Sequence, residues 1–193
     1  MKKLVVTEFM SVDGVIQDPG GDGDFKHAGW TFDIDTDPAV YQFKGWELEQ
    51  AESQLLGRKT YEGFAAAWPE RTDGMGFADK MNAMPKYVVS TTLTSPEWNN
   101  TTVISTDVVN AIADLKEGDG GDILVAGSKT LVGTLHENGL VDEYRLMIFP
   151  VVLGSGLRLF PDDAADKVKL KLADLKTYSN GVTLQTYVLQ PAD

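Results

Sequence analysis

Asp122-Ile123-Leu124-Val125-Ala126-Gly127-Ser128-Lys129-Thr130-Leu131 runs from a continuous apolar segment through a glycine–hydroxyl turn into the start of a helix. An uninterrupted apolar run before a glycine fits a strand buried on both faces, which belongs in a parallel sheet covered by helices. The helix is expected from Lys129 to about Glu137, ended by Asn138-Gly139. Upstream the same alternation repeats. Residues 86–90 (KYVVS) and 101–105 (TTVIS) read as β-rich strands, and Val108, Val109, Ile112 and Leu115 form the apolar face of a helix capped at Thr106-Asp107 and closed by Gly118. Residues 53–57 read as a short strand ending at Gly57, and 60–67 as a helix stopped by Pro69. Residues 69–85 read as a connection, with Met81 and Met84 on one short turn.

Towards the N-terminus, Asp37-Pro38 is an N-cap followed by proline at the first helical position. It introduces Val40, Phe43, Trp46, Leu48 and Ala51 at helical spacing. Residues 18–37 carry scattered glycines and aspartates with no apolar period and read as a long loop. Its Phe25, Trp30 and Phe32 suit a lid that packs on something. Residues 3–10 form a buried strand ending in the Ser11-Val12-Asp13-Gly14 turn. The last third changes character. EYRLMIFPVV (143–152) is long and β-rich, Lys167, Lys169 and Lys171 alternate with Val168, Leu170 and Leu172, and Asn180-Gly181 is a hairpin signal. The expectation is a single α/β domain over residues 1–193, mostly parallel, with an antiparallel C-terminal hairpin and helices on both faces.

The chain has 193 residues, 42% hydrophobic, enough for one continuous core. Its 17 Lys and Arg against 29 Asp and Glu give a net charge of −12, with no basic run of the kind nucleic acid or anionic lipid requires. With no cysteine and only His27 and His136, disulfides, thiolate chemistry and a His/Cys metal site are excluded. His27 reads as a loop-surface residue. His136, near a helix C-terminus, reads as a dipole partner or solvent-exposed. Leu4-Val5-Val6 is too short for a signal-peptide core and no apolar run reaches membrane length, so the expected setting is cytoplasmic.

Candidate chemistry collects at strand ends, where open α/β sheets bind ligands. Gly57-Arg58-Lys59-Thr60 places a glycine, two cations and a hydroxyl at a helix start, which offers unpaired N–H groups and a positive dipole end to an anion. Ala126-Gly127-Ser128-Lys129-Thr130-Leu131 repeats that logic, and Ser90-Thr91-Thr92 adds hydroxyls. Neither G-x-G-x-x-G nor a P-loop is present.

Taken in order, the Ser11–Gly14 turn, Leu56-Gly57-Arg58-Lys59-Thr60-Tyr61-Glu62, the strand ending at Ser90, Val125-Ala126-Gly127-Ser128, Leu140-Val141-Asp142-Glu143-Tyr144 and Pro150-Val151-Val152-Leu153-Gly154-Ser155-Gly156 resemble the dihydrofolate-reductase-like superfamily. The branch is that of the bacterial riboflavin-biosynthesis reductase domain (RibD C-terminal-like). The resemblance implies NADPH across the strand ends. Gly57, Arg58, Lys59 and Thr60 would meet the 2′-phosphate and pyrophosphate, Ser90 and Thr91 would lie near the adenosine phosphate, and Ala126, Gly127, Ser128, Lys129, Thr130 and Leu131 would form the later glycine turn. Asp13 is the candidate catalytic group, holding substrate or relaying a proton if burial raises its pKa. Ser11, Asp13, Trp30 and Gly156 are the candidate substrate contacts, and relatives of this branch imply a homodimer.

Between residues 13 and 37 stand seven aspartates (Asp13, Asp18, Asp22, Asp24, Asp33, Asp35 and Asp37) against one lysine, Lys26, a field that repels a phosphorylated substrate. The preferred expectation is therefore a stand-alone NADPH-dependent reductase of a small heterocyclic or carbonyl-type substrate. The alternatives are 5-amino-6-(5-phosphoribosylamino)uracil reductase and a non-catalytic binding module on the same fold. The absence of Leu-Pro-Trp in the first loop speaks against a folate reductase.

Overall fold

The computed structural model of the protein describes residues 1–21, 23–160 and 167–190, so Asp22 of the acidic loop lies outside the described residues. Among the described residues eight strands form one sheet: β1 (Leu4–Ser11), β2 (Ala51–Gly57), β3 (Lys86–Val89), β4 (Thr101–Ile104), β5 (Asp122–Val125), β6 (Glu143–Phe149), β7 (Leu170–Thr177) and β8 (Thr183–Leu189). Their spatial order is β4-β3-β2-β5-β1-β6-β8-β7. Every pairing from β4 to β6 is parallel, while β8 pairs antiparallel with both β6 and β7. The parallel sheet with an antiparallel hairpin is the architecture expected from the sequence.

Among the described residues five α-helices cover it: α1 (Pro38–Gln50), α2 (Arg58–Ala67), α3 (Phe77–Ala83), α4 (Val108–Lys116) and α5 (Lys129–Glu137). Alternation along β1 divides the core. Leu4 and Val6 pack with Ile112 of α4 and Leu131, Val132 and Leu135 of α5, whereas Val5 packs with Leu48 of α1, Tyr61 of α2 and Met81 of α3. Thus α4 and α5 lie on one face and α1, α2 and α3 on the other.

Asp37 caps α1 as expected, accepting from Ala39 N–H at 2.9 Å, and Pro38 takes the first helical position. The helix passes into β2 at Ala51 with no intervening loop, so the strand begins two residues earlier than the sequence pattern indicates. Residues 77–83, expected as part of a connection, form α3. Asp73 organises its start by accepting from the backbone N–H groups of Met75, Phe77 and Ala78. On the α1 face the buried Arg145 of β6 bonds Glu143 (2.6 Å), Asp122 (3.0 Å) and Glu47 of α1 (3.4 Å). Lys44 closes on Glu47 and donates to Thr7 Oγ1 at 2.7 Å. These charges fix α1 to β1, β5 and β6.

Among the described residues no helix is long and apolar enough to cross a membrane. Lys167, Lys169 and Lys171 are exposed as expected, but Val168 (47%), Leu172 (48%) and Leu175 (51%) are exposed too, because β7 is the last strand of the sheet.

Candidate active site

The adjacent strands β2 and β5 send their following helices to opposite faces, α2 to one and α5 to the other. Strand ends that part in this way leave a crevice at their carboxyl side, the usual ligand position in open α/β sheets. Neither helix is capped by a side chain: Gly57 is the N-cap of α2, and Ser128, the N-cap of α5, makes no capping bond. The first-turn N–H groups of both helices are therefore not satisfied by their own caps, and both dipole ends point at one place.

The two turns press against each other. A Cβ built at Gly57 would run into Ser128 Oγ, and one at Gly127 would stand 3.1 Å from Thr60 Oγ1 and 3.8 Å from Glu8 Oε1. Gly127 also has φ +68°, a conformation that disfavours a side chain. Gly57, Thr60, Gly127 and Ser128 are thus brought together, although 67 positions separate Thr60 from Gly127 in the sequence. Lys129 and Thr130 occupy the first turn of α5, while the Leu131 side chain turns into the core. Arg58 lies at the rim, half-exposed, with its guanidinium on Glu62 Oε1 at 2.7 Å.

Glu8 is the group the sequence reading missed. It sits in β1, which pairs with β5, and is only 8% exposed. Its Oε1 accepts the Gly127 N–H at 2.5 Å. Burial pushes its pKa up to about 8, against the opposing effects of the Gly127 hydrogen bond and the Lys44 charge. The carboxyl is therefore largely protonated at neutral pH. A glutamate inside an otherwise apolar strand was the available signal.

Ser90 ends β3 on the other side of β2, but its Oγ accepts from Thr92 N–H (3.1 Å) and Leu93 N–H (2.9 Å), so its hydroxyl shapes that turn. Thr91 is exposed beside it. Ala126 follows β5 and packs with the core on the α2 face.

The four expected substrate contacts, Ser11, Asp13, Trp30 and Gly156, all make contacts within the chain. Ser11 is fully buried, donates to Asp13 Oδ1 at 2.7 Å and accepts from Val15 N–H. Asp13 accepts from Leu153 N–H (3.1 Å) and Gly154 N–H (2.8 Å), clamping the first turn to the loop after β6. Desolvation acts to raise its pKa, but the bonds from Ser11, Leu153 and Gly154 outweigh it and the pKa is lowered, the reverse of what a proton donor needs. Trp30 is 1% exposed, with its indole N–H on the Gln17 carbonyl and its ring edge-on to Phe149. It is a core aromatic. Gly156 lies under Val15 and Phe25, where a Cβ would meet Val15 Cγ1 at 2.7 Å. These contacts join the turn after β1 and Trp30 to β6 and the loop that follows it.

Part of the expected lid is fixed by these contacts. Trp30–Asp33 form a 3-10 turn, Thr31 Oγ1 bonds the Pro19 carbonyl at 2.7 Å, and Asn180 Nδ2 donates to the Asp35 carbonyl at 2.8 Å. Phe32 is left outside, 69% exposed. His136 is half-buried in the last turn of α5: its Nδ1 lies 2.7 Å from Tyr144 Oη, and its ring packs on Phe160.

With this geometry in view, comparison with known proteins is decisive on family. The RibD C-terminal domain model matches residues 2–184. The chain belongs to the RibD C-terminal domain family. It is 30% identical over 189 residues to the uncharacterized protein YyaP of Bacillus subtilis (strain 168), covering 96% of this chain and 94% of that one. A candidate riboflavin biosynthesis protein from Shewanella sp. PV-4 superposes with a TM-score of 0.75 at 22% identity, covering 98% of this chain and 99% of the other. RibD from Acinetobacter baumannii gives 0.64 at 15% identity over 99% of this chain and 59% of its own length. These likenesses establish the RibD-like, dihydrofolate-reductase-like fold.

Proposed function

We propose that this RibD-like domain is an NADPH-dependent oxidoreductase, with the dinucleotide lying across the carboxyl ends of β2 and β5. The observation that carries the reading is the meeting of two helix N-termini, uncapped by side chains, over Gly57 and Gly127. Backbone packing does not require two such ends to face one crevice, whereas a pyrophosphate is suited to both. Glycine on one turn and a short hydroxyl on the other let phosphate oxygens approach the main chain. Thr60 Oγ1 is placed to donate into the same space, and Lys129 adds charge at the start of α5. Arg58 supplies a planar donor at the rim, where a 2′-phosphate would compete with Glu62 for it.

A reduced nicotinamide, when bound, supplies the hydride. The protein's part is to hold the sugar–phosphate chain, orient the ring against the β1 end of the sheet and control protons there. The substrate class favoured is a small heterocycle or carbonyl compound without a phosphate, because Asp24, Asp33 and Asp35 of the first loop remain exposed.

Fluorescence titration with NADPH and NADH tests the reading. NADPH is expected to bind more tightly, and Arg58→Ala is expected to weaken NADPH by about 1.5–3 kcal/mol while leaving NADH nearly unchanged. Binding of neither nucleotide would leave a non-catalytic module on this fold. Equal weakening of both would remove Arg58 from 2′-phosphate recognition.

A homodimer is also proposed, formed through the β7–β8 end of the sheet, where Val168, Leu172 and Leu175 are exposed. Light scattering is expected to give twice the chain mass at micromolar concentration. A monomer mass would end that proposal.

A further inference from the structure

Glu8 is a buried carboxyl inside a strand of the sheet. Within β1 it follows Leu4 and Val6 on the α4/α5 side, where its paired neighbour on β6 is Leu146. An ionised carboxylate is costly in such surroundings unless a cation is paired with it. None is: Lys44 acts on it only through its field and is itself bonded to Glu47 and Thr7. Among the described residues the hydrogen bond made by Glu8 is from Gly127 N–H to Oε1, which leaves Oε2 outside that contact. That N–H immediately precedes the α5 N-cap, and Thr60 Oγ1 of α2 faces the same glycine. The site therefore combines two helix N-termini with a nine-tenths-buried carboxyl that has one oxygen tied down by Gly127 N–H and the other outside that contact.

We propose that Glu8 is a positioning residue of the cofactor cradle: anchored by Gly127 N–H, its carboxyl offers the proton on Oε2 to the sugar–phosphate chain of the dinucleotide, and the cradle takes its ligand with that proton in place. The inference rests on the NADPH reading and adds what that reading lacks, a side-chain donor on the β1 side of the crevice. A neutral acid donates a hydrogen bond to a phosphate or ribose oxygen. The carboxylate has no proton to give and repels the phosphates instead. The surrounding elements tilt this balance without reversing it. From α1 comes the charge of Lys44, itself bonded to Glu47; Arg58, Lys59 and Glu62 of α2 and Lys129 of α5 do not contribute to the balance, and β6 pairs uncharged Leu146 with Glu8.

The test is NADPH affinity between pH 7 and pH 9.5, a window above the second ionisation of a phosphate monoester at about 6. It is combined with the carboxyl carbon shift of Glu8 in glutamate-labelled protein, assigned through Glu8→Gln. The wild type is expected to bind NADPH about tenfold more weakly at pH 9.5 than at pH 7, and NADPH is expected to move the Glu8 titration to higher pH, as linkage requires. Glu8→Gln keeps an acceptor for Gly127 N–H and a donor towards the crevice, so its affinity is expected to stay flat over that range. Lys86 also titrates near 8, burial having lowered it to about 8. It lies against Trp98, and any effect of its titration would persist in Glu8→Gln.

The inference is overturned if wild-type affinity is flat with pH, if Glu8→Gln follows the wild-type curve, or if Glu8 is already ionised at pH 7. Each result would leave NADPH binding itself standing. Absence of NADPH binding at every pH would remove the cofactor reading and this inference together. The wild-type titration decides the matter even if the variant fails to fold.

Discussion

Asp13 and Glu8 exchange the characters their sequence contexts suggest. Asp13, in a Ser-Val-Asp-Gly turn, is the conventional place to look for a working carboxylate, yet Leu153 and Gly154 use it as an acceptor for their backbone N–H groups. Those partners lie 140 and 141 residues away, so no local pattern could announce them. Asp13→Ala is expected to cost about 1–3 kcal/mol of stability, the usual penalty for stranding such donors, without removing a pH limb from any reductase activity. Because its pKa is lowered on folding, its contribution is present above the unfolded value near 3.8 and disappears as pH falls through the folded one. Glu8 has the opposite sign. Its folded pKa of about 8 lies above its ordinary 4.5, so its effect on stability becomes more unfavourable as pH rises from about 4.5 to about 8. Urea unfolding at pH 5.5 and pH 8.5 should therefore show a smaller loss of stability across that interval for Glu8→Gln than for the wild type. An equal loss in both proteins would mean that Glu8 does not titrate in this range. At the rim, Glu62→Gln is expected to release Arg58 and tighten NADPH about two- to fivefold, in keeping with the modest strength of an exposed ion pair. Unchanged affinity would mean that the pair is already open in solution.

Among the elements, β5 and the turn into α5 were legible because a continuous apolar run, a glycine and a hydroxyl each have a local physical meaning. The start of α1 was legible for the same reason, through Asp37 and Pro38. Two features escaped. The beginning of α3 is organised by Asp73, three residues ahead of the Gly76 N-cap, an offset that ordinary capping patterns do not cover. The direct passage from α1 to β2 reflects tertiary bonding: Arg145 reaches Glu47 across the sheet face and joins it to Asp122 and Glu143. Removing that guanidinium would leave the buried Glu143 with only the exposed Lys3 and the buried Glu47 with only Lys44. Arg145→Met is accordingly expected to destabilise the fold by about 3–5 kcal/mol, measured by chemical denaturation, with α1 detaching first in hydrogen exchange. A loss below 1 kcal/mol would show that the cluster relaxes by protonation.

For the molecule as a whole, strand order decides where chemistry can occur, and strand order is what a single sequence conceals. The alternation of strands and helices indicated a parallel sheet and Asn180-Gly181 a terminal hairpin, but the insertion of β5 between β1 and β2 is visible only in space. That insertion brings Gly57 beside Ser128 and Glu8 beside Gly127, converting two weak local motifs into one crevice. Ser11, Asp13, Trp30 and Gly156, read in the sequence as substrate contacts, tie the turn after β1 to the loop after β6. Hydrogen–deuterium exchange with and without saturating NADPH tests most directly which of the two regions is the site. New protection is expected at the amides of residues 57–61 and 127–131 and in β1 around Glu8. Protection centred on residues 11–16 and 150–156, or no change at the two helix starts, would contradict it.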